Sequence, residues 1–190
     1  TLQTLDRIRE SDSLRPRYEV IFNQAIVLLV SYFGSSVSDI FKKLIIENLK
    51  ENTSKPLLGE SIKLSVRDLK DLNFYLLDSF PDVFIKTKDI SFQDMKSISR
   101  SFKDYLNIDI QKSEDINNII VAQACRHAIV HNGAKVDDRL TNQVANAIPR
   151  KLKCDINTEN EIQFSVEEIE IVINSMSNYI SSLIANSQKS

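Results

Sequence analysis

The chain has 190 residues, 42% of them hydrophobic and 26% charged, with a formal net charge of −2. That length suits one domain, or one domain with a small appendage, and that composition supports a packed core. Its 24 basic and 26 acidic residues exclude a protein that coats nucleic acid by bulk charge, though not one that meets a few phosphates at one place. Cys125 and Cys154 each stand alone in their segments, with no CxxC pair and no disulfide framework, so a reducing, cytoplasmic setting is expected. The longest apolar run, Ala25 to Val30, is too short to span a bilayer and no signal peptide is visible, so no membrane association is expected. Thr1 in place of an initiating Met fits a trimmed chain or part of a longer protein.

Residues 1–13 are polar and charged and read as an N-terminal arm or short helix; residues 14–190 read as one helical domain. Ser13 is a candidate cap for a helix starting near Pro16, because proline is tolerated in a first turn. From there Tyr18, Phe22, Ala25, Leu29 and Phe33 recur at helical spacing, and Val37, Ile40, Phe41, Leu44, Ile45 and Leu49 continue the pattern. This predicts one long helix, with Gly34-Ser35-Ser36 as the expected bend. A loop follows over residues 50–65. Ser65 then precedes a helix carrying Leu69, Leu72, Leu76 and Leu77, which Pro81 is expected to end. Ser91 is the expected cap of a helix through Met95, Ile98, Phe102 and Tyr105.

Ser113, followed by Glu114 and Asp115, starts the next helix. Its apolar residues, Ile116 through Val130, lie on every side, so several neighbours should bury it, and Gly133 should stop it at His131 or Asn132. A further helix is expected from Asp138 to Ile148, closed by Pro149. Lys151–Ile156 and Glu161–Phe164 read as two short strands around a turn at Asn157–Asn160. Ser165 and Glu168 form a capping-box pattern before a last helix with Val166, Ile169, Ile173, Met176, Ile180 and Ile184. The fold class is therefore all-α, a helical bundle with a small β-hairpin before the C-terminal helix.

Any chemistry is centred on Cys125-Arg126-His127-Ala128-Ile129-Val130-His131-Asn132-Gly133, which holds both histidines of the protein. A buried helix end rarely accepts an Arg and two His without a reason, since an unpaired neutral polar group costs roughly 2–7 kcal/mol. His127 and His131, one turn apart, share a helix face. Arg126 and His131 lie about 140° apart around a straight helix, so the Arg needs its length, a loosened helix end or a second copy of the helix to reach the same point.

Arg126 and His131, with four residues between them, match the Arg-x(4–6)-His motif, and the string Arg-His-Ala-Ile-Val-His-Asn-Gly with Val136-Asp137 resembles the bacterial HEPN branches of toxin and defence systems. The long first helix and the final amphipathic helix after a hairpin are similar to those branches too, so the resemblance covers most of residues 14–187. It implies a HEPN-like bundle that homodimerises, with the active site at the two-fold interface. It implies a metal-independent endoribonuclease without cofactor, in which the ribose 2′-OH attacks the adjacent phosphate and leaves a 2′,3′-cyclic phosphate. The implied partners are an RNA substrate and an antitoxin or other defence-system protein. Arg126 would hold the phosphate, since its planar fork is always charged. His131 would move the proton, and His127 and Asn132 would support them.

Other readings of the same residues stand beside this one. The first is a non-catalytic HEPN-like interaction or nucleotide-binding module. The second is purely structural, with Arg126 in an ion pair to an acidic residue of the first helix and the histidines satisfied by backbone carbonyls. The third is a zinc site on His127 and His131, against which Ala128 stands where a metalloprotease motif has Glu. Cys125 on a buried helix reads as core rather than nucleophile.

Overall fold

The computed structural model describes residues 15–51, 55–154, 156 and 161–187. Among these the protein is mostly helical and contains no strand. In chain order the helices are α1 (Arg15–Glu51), α2 (Lys55–Leu58), α3 (Val66–Asp71), α4 (Leu76–Thr87), α5 (Met95–Leu106), α6 (Glu114–His131), α7 (Asp138–Val144) and α8 (Val166–Ser187). The expected arm at 1–13 and the Ser13 cap lie outside the described residues.

The chain divides into two compact units, each discontinuous in sequence. The first takes residues up to Phe33 and Lys112–Ser182; the second takes Gly34–Gln111 and Leu183 onward. Helices α1 and α8 therefore contribute to both. In α1 the stripe Phe22, Ile26, Val30, Phe33, Val37, Phe41 and Ile45 is buried, one residue per turn, which is the periodicity of a core helix. By length and composition alone the Val20–Glu51 stretch is also apolar enough to cross a membrane, with a mean hydropathy of 1.6 over its best window.

The buried residues of the first unit include Phe22, Ile26, Phe33, Ile119, Ala122, Leu152, Ile162, Phe164, Val172 and Tyr179. The Phe33 and Tyr179 rings meet edge to face at 5.5 Å. In the second unit Phe41 lies against Phe102 and Phe92, with ring centroids 5.2 and 5.5 Å apart. α1 runs unbroken through Gly34, and the need for glycine there comes from outside the helix. A Cβ at Gly34 would sit 2.9 Å from the carbonyl oxygen of Phe92. Gly34→Ala gains up to about 1 kcal/mol of helix propensity but forces two backbones apart, which costs about 1–3 kcal/mol. Net destabilisation of about 1 kcal/mol is expected in urea denaturation; a variant more stable than the parent would refute the close-approach argument.

Several boundaries differ from the sequence expectation. The helix starting at Ser65 ends at Asp71, and Pro81 lies inside α4 rather than closing a helix. The break is earlier because Asn73 and Phe74 turn left-handed, at φ 49° and 61°. Phe74 N donates to Leu69 O and Asn73 N to Lys70 O, the paired closure of a Schellman motif with Asn in the left-handed position. α5 is capped by Asp94, whose carboxylate accepts from Ser97 N at 2.8 Å, and not by Ser91. α7 ends at Val144, short of Ile148, where Arg150 donates to the carbonyls of Val144 and Ala147.

The expected hairpin does not form among the described residues, and its turn, Asn157–Asn160, lies outside them. Lys151 N and Leu152 N both donate to Asn118 Oδ1, and Cys154 N donates to Glu168. Side chains thus take the donors that a strand ladder would need. Glu161 instead makes an isolated antiparallel bridge with Lys135. Ser113 and the Ser165–Glu168 box cap α6 and α8 as expected.

Candidate functional site

All four candidate residues sit at the C-terminal end of α6. The helix is held along its length by buried side chains, Ile116 to Ala128. It stops because Gly133 and Ala134 adopt left-handed backbone, φ 60° and 62°. Ala128 O then accepts from both Asn132 N and Ala134 N, at 2.8 and 3.1 Å.

From that end the chain returns directly into α7, which packs on α6. Asp137 caps α7, its Oδ1 accepting from Leu140 N at 2.8 Å. The Asn132 side chain ties the two helix ends together, donating to Lys135 O at 3.1 Å and to Asp137 Oδ2 at 3.3 Å. Asn132 is thus fixed by its own loop.

His127 and His131 come together as the one-turn spacing requires, with ring centroids 4.7 Å apart and planes inclined at 45°. His127 is half-buried, and His131 is exposed. Arg126 is half-buried, and its Nε is a buried donor without a hydrogen-bond partner. Among the described residues it makes no ion pair with a carboxylate, so the acidic partner that a purely structural role would give it does not appear. Nor does any cluster of three or more His, Cys, Asp and Glu suited to a metal ion occur among the described residues.

His127 is held below its ordinary pKa of 6.5, first by burial and then by the positive charges of Arg139, His131 and Arg126, against the opposing pull of Asp137. Its ring is therefore neutral at pH 7. Because the folded pKa is depressed, the unfolded chain binds more protons than the folded chain in the interval below 6.5. Stability is expected to fall as pH drops through 6.5 and to level off below the folded value. An NMR titration of the His127 ring should give a midpoint under 6.5; one above it would overturn this assignment.

Two features escaped the sequence. Cys125 and Cys154, far apart in the chain, face each other with sulfurs 3.5 Å apart in the core. The contact with Cys154 and burial push the Cys125 thiol well above its ordinary pKa, so it stays protonated and is no nucleophile. The second is Arg139, exposed in the first turn of α7, whose positive charge acts on the His127 ring. Neither carried a local signal, because both depend on which segment packs against α6. Hollows on the second unit, one lined by Ile40, Leu44, Leu106 and Ile184 and one by Lys63, Asp68 and Lys86, include none of the site residues.

No family model, no curated protein and no solved structure matches the chain.

Proposed function

We propose that this protein is a metal-independent endoribonuclease of HEPN type, built on a HEPN-like helical bundle. The observation that carries the reading is Arg126: a half-buried guanidinium on the helix that carries two contacting histidines, with no ion pair to a carboxylate among the described residues. The Nε lies out of reach of solvent, so it is the outer nitrogens of the fork that a ligand would meet, and a phosphate is the anion whose geometry fits them.

The ribose 2′-OH attacks the adjacent phosphorus in line. The new P–O bond closes a 2′,3′-cyclic phosphate and the bond to the 5′-oxygen breaks. Arg126 stabilises the charge that builds on the non-bridging oxygens. His131, exposed at the helix end, passes the proton between the 2′-oxygen and the leaving 5′-oxygen. His127 supports its ring as a neutral neighbour, and Asn132, held by Asp137, fixes the loop beneath them.

A homodimer with the site at its two-fold axis brings two such helix ends into one cleft and removes the angular problem of a single helix. Exposed apolar residues support it: Val130 beside His131 is 46% exposed, and Ile21, Leu28 and Tyr32 lie open along α1. The two free cysteines fit a reducing, cytoplasmic setting. A toxin or anti-invader role, with an antitoxin or other defence protein as partner, belongs to the same reading.

The test is incubation of the chain with several RNAs in EDTA, followed by end-group analysis. Cyclic phosphate and 5′-OH ends are the expected products. Their absence on every RNA would leave a non-catalytic binding module as the reading, and loss of cleavage in EDTA with rescue by metal would refute the mechanism.

A further inference from the structure

We propose that Cys125 and Cys154 form a redox modification site: a peroxide oxidises the two thiols to a disulfide that ties the C-terminal half of α6 to the segment after α7. This does not rest on the ribonuclease reading, in which neither cysteine takes part.

The two sulfurs lie 3.5 Å apart although 29 residues separate them along the chain. A disulfide bond is about 2.0 Å long, so the sulfurs have to approach by about 1.5 Å, a shift on the scale of side-chain rotation. Cys154 is held where it faces its partner. Its N–H donates to the Glu168 carboxylate at 2.6 Å. Its φ of 20° is a value that a residue with a side chain keeps only where the surroundings impose it. No group of three or more His, Cys, Asp and Glu suited to a metal ion includes the pair among the described residues, so two thiols in contact are what the core offers here. In a reducing compartment such a pair closes transiently, when an oxidant reaches it.

Cys154 is the thiol that meets the oxidant. It is 5% exposed, whereas Cys125 is fully buried on α6. No strand ladder holds residues 151–154; the amide of Cys154 is bonded to a side chain, that of Glu168. The chain therefore opens at Cys154 without unwinding α6, the kind of local opening that costs far less than global unfolding.

In the first step the Cys154 sulfur attacks one peroxide oxygen and the O–O bond breaks. The departing hydroxide takes the thiol proton and leaves as water, and Cys154 becomes a sulfenic acid. In the second step the Cys125 sulfur forms the S–S bond and the S–O bond breaks. The hydroxyl leaves with the Cys125 proton as a second water. The two thiols lose two electrons, and one peroxide becomes two waters. Burial and the contact with Cys154 keep Cys125 protonated and inert towards solutes. Towards a sulfenic sulfur in contact, held proximity supplies what thiolate character does not.

The experiment treats the whole folded chain with hydrogen peroxide, then unfolds it in urea with iodoacetamide and reads the intact mass. The untreated chain, with both cysteines free, should take up two alkyl groups. The treated chain should be a monomer that has lost two hydrogens and takes up none. Peptide mapping should join Cys125 to Cys154, and dithiothreitol should reverse the change. The urea midpoint of the oxidised chain should lie above that of the reduced chain, because the cross-link restricts the unfolded state. Cys125→Ala should stop at a sulfenic acid on Cys154, trapped by dimedone, and Cys154→Ala should leave Cys125 unoxidised.

Two alkyl groups on the treated parent would overturn the inference. So would a cross-link between two chains, or an oxidised chain with a lower urea midpoint than the reduced one, since either would mean that the native fold does not bring the thiols together for reaction. None of these readouts involves RNA. Failure here leaves the ribonuclease proposal standing, and a chain that cleaves no RNA can still close this disulfide.

Discussion

Arg126→Ala is expected to lower the rate of RNA cleavage by about 10²–10³-fold, the usual loss when one preorganised donor to a developing oxyanion is removed. His131→Ala is expected to cost about 10²–10⁴-fold, the range for a general acid–base group. The value of the pair lies in what happens to the fold. If Arg126 were a structural ion pair, its removal would orphan a carboxylate and destabilise the protein. Here the buried Nε has no partner among the described residues, so truncation removes an unsatisfied group and should leave the urea midpoint unchanged or raise it. His131 is exposed, and its loss should stay within about 0.5 kcal/mol of the parent. Arg126→Lys should recover little activity, because an ammonium cannot grip two phosphate oxygens as the planar fork does. Cleavage by both alanine variants at the parent rate would place the activity elsewhere. A large fall in stability for Arg126→Ala would restore the structural reading.

How much of this was legible in the sequence depends on the range of the interactions involved. The Ser113 cap and the Ser165–Glu168 box follow from contacts within a turn or two and form as expected, whereas in the first half of α1 the buried stripe runs through Ile26 and Val30 in place of the expected Ala25 and Leu29, which are half-buried. The juxtaposition of His127 and His131 is of the same kind, since one turn of helix settles it. The boundaries that differ have local causes. Asn73 marks a Schellman closure as well as glycine would, and Pro81 fell in the second turn of a helix whose start lay later than expected. The hairpin was different in kind. Lys151–Ile156 alternates like a strand, yet its donors go to Asn118 and Glu168, distant in sequence and invisible to any periodicity. The lack of a carboxylate partner for Arg126 among the described residues and the Cys125–Cys154 contact are tertiary facts of the same sort.

Asn118→Ala should destabilise the fold by about 2–6 kcal/mol. Asn118 lies two turns before Arg126 on α6 and is buried. Its Oδ1 accepts from Lys151 N and Leu152 N, both at 3.0 Å, and its Nδ2 donates to Ser175 Oγ at 3.0 Å. One side chain thus joins α6, the 151–152 segment and α8. Alanine would leave Leu152 N and the Ser175 hydroxyl without partners in the core, whereas Lys151 is exposed enough for water to serve its amide. Each buried orphan costs about 1–3 kcal/mol, which sets the estimate. Urea denaturation should show the midpoint falling at constant slope. Asn118→Leu separates hydrogen bonding from volume: it fills the space but supplies no acceptor, so it should lose nearly as much as alanine. Recovery of stability with leucine would show that packing, not the shared oxygen, holds the segment. Under conditions where Asn118→Ala is still folded, its cleavage rate per folded molecule should match the parent, because the residue supports α6 and touches no phosphate. Arg126→Ala should behave in the opposite way, keeping the fold and losing the rate. Those two variants together distinguish what builds the end of α6 from what the end of α6 does.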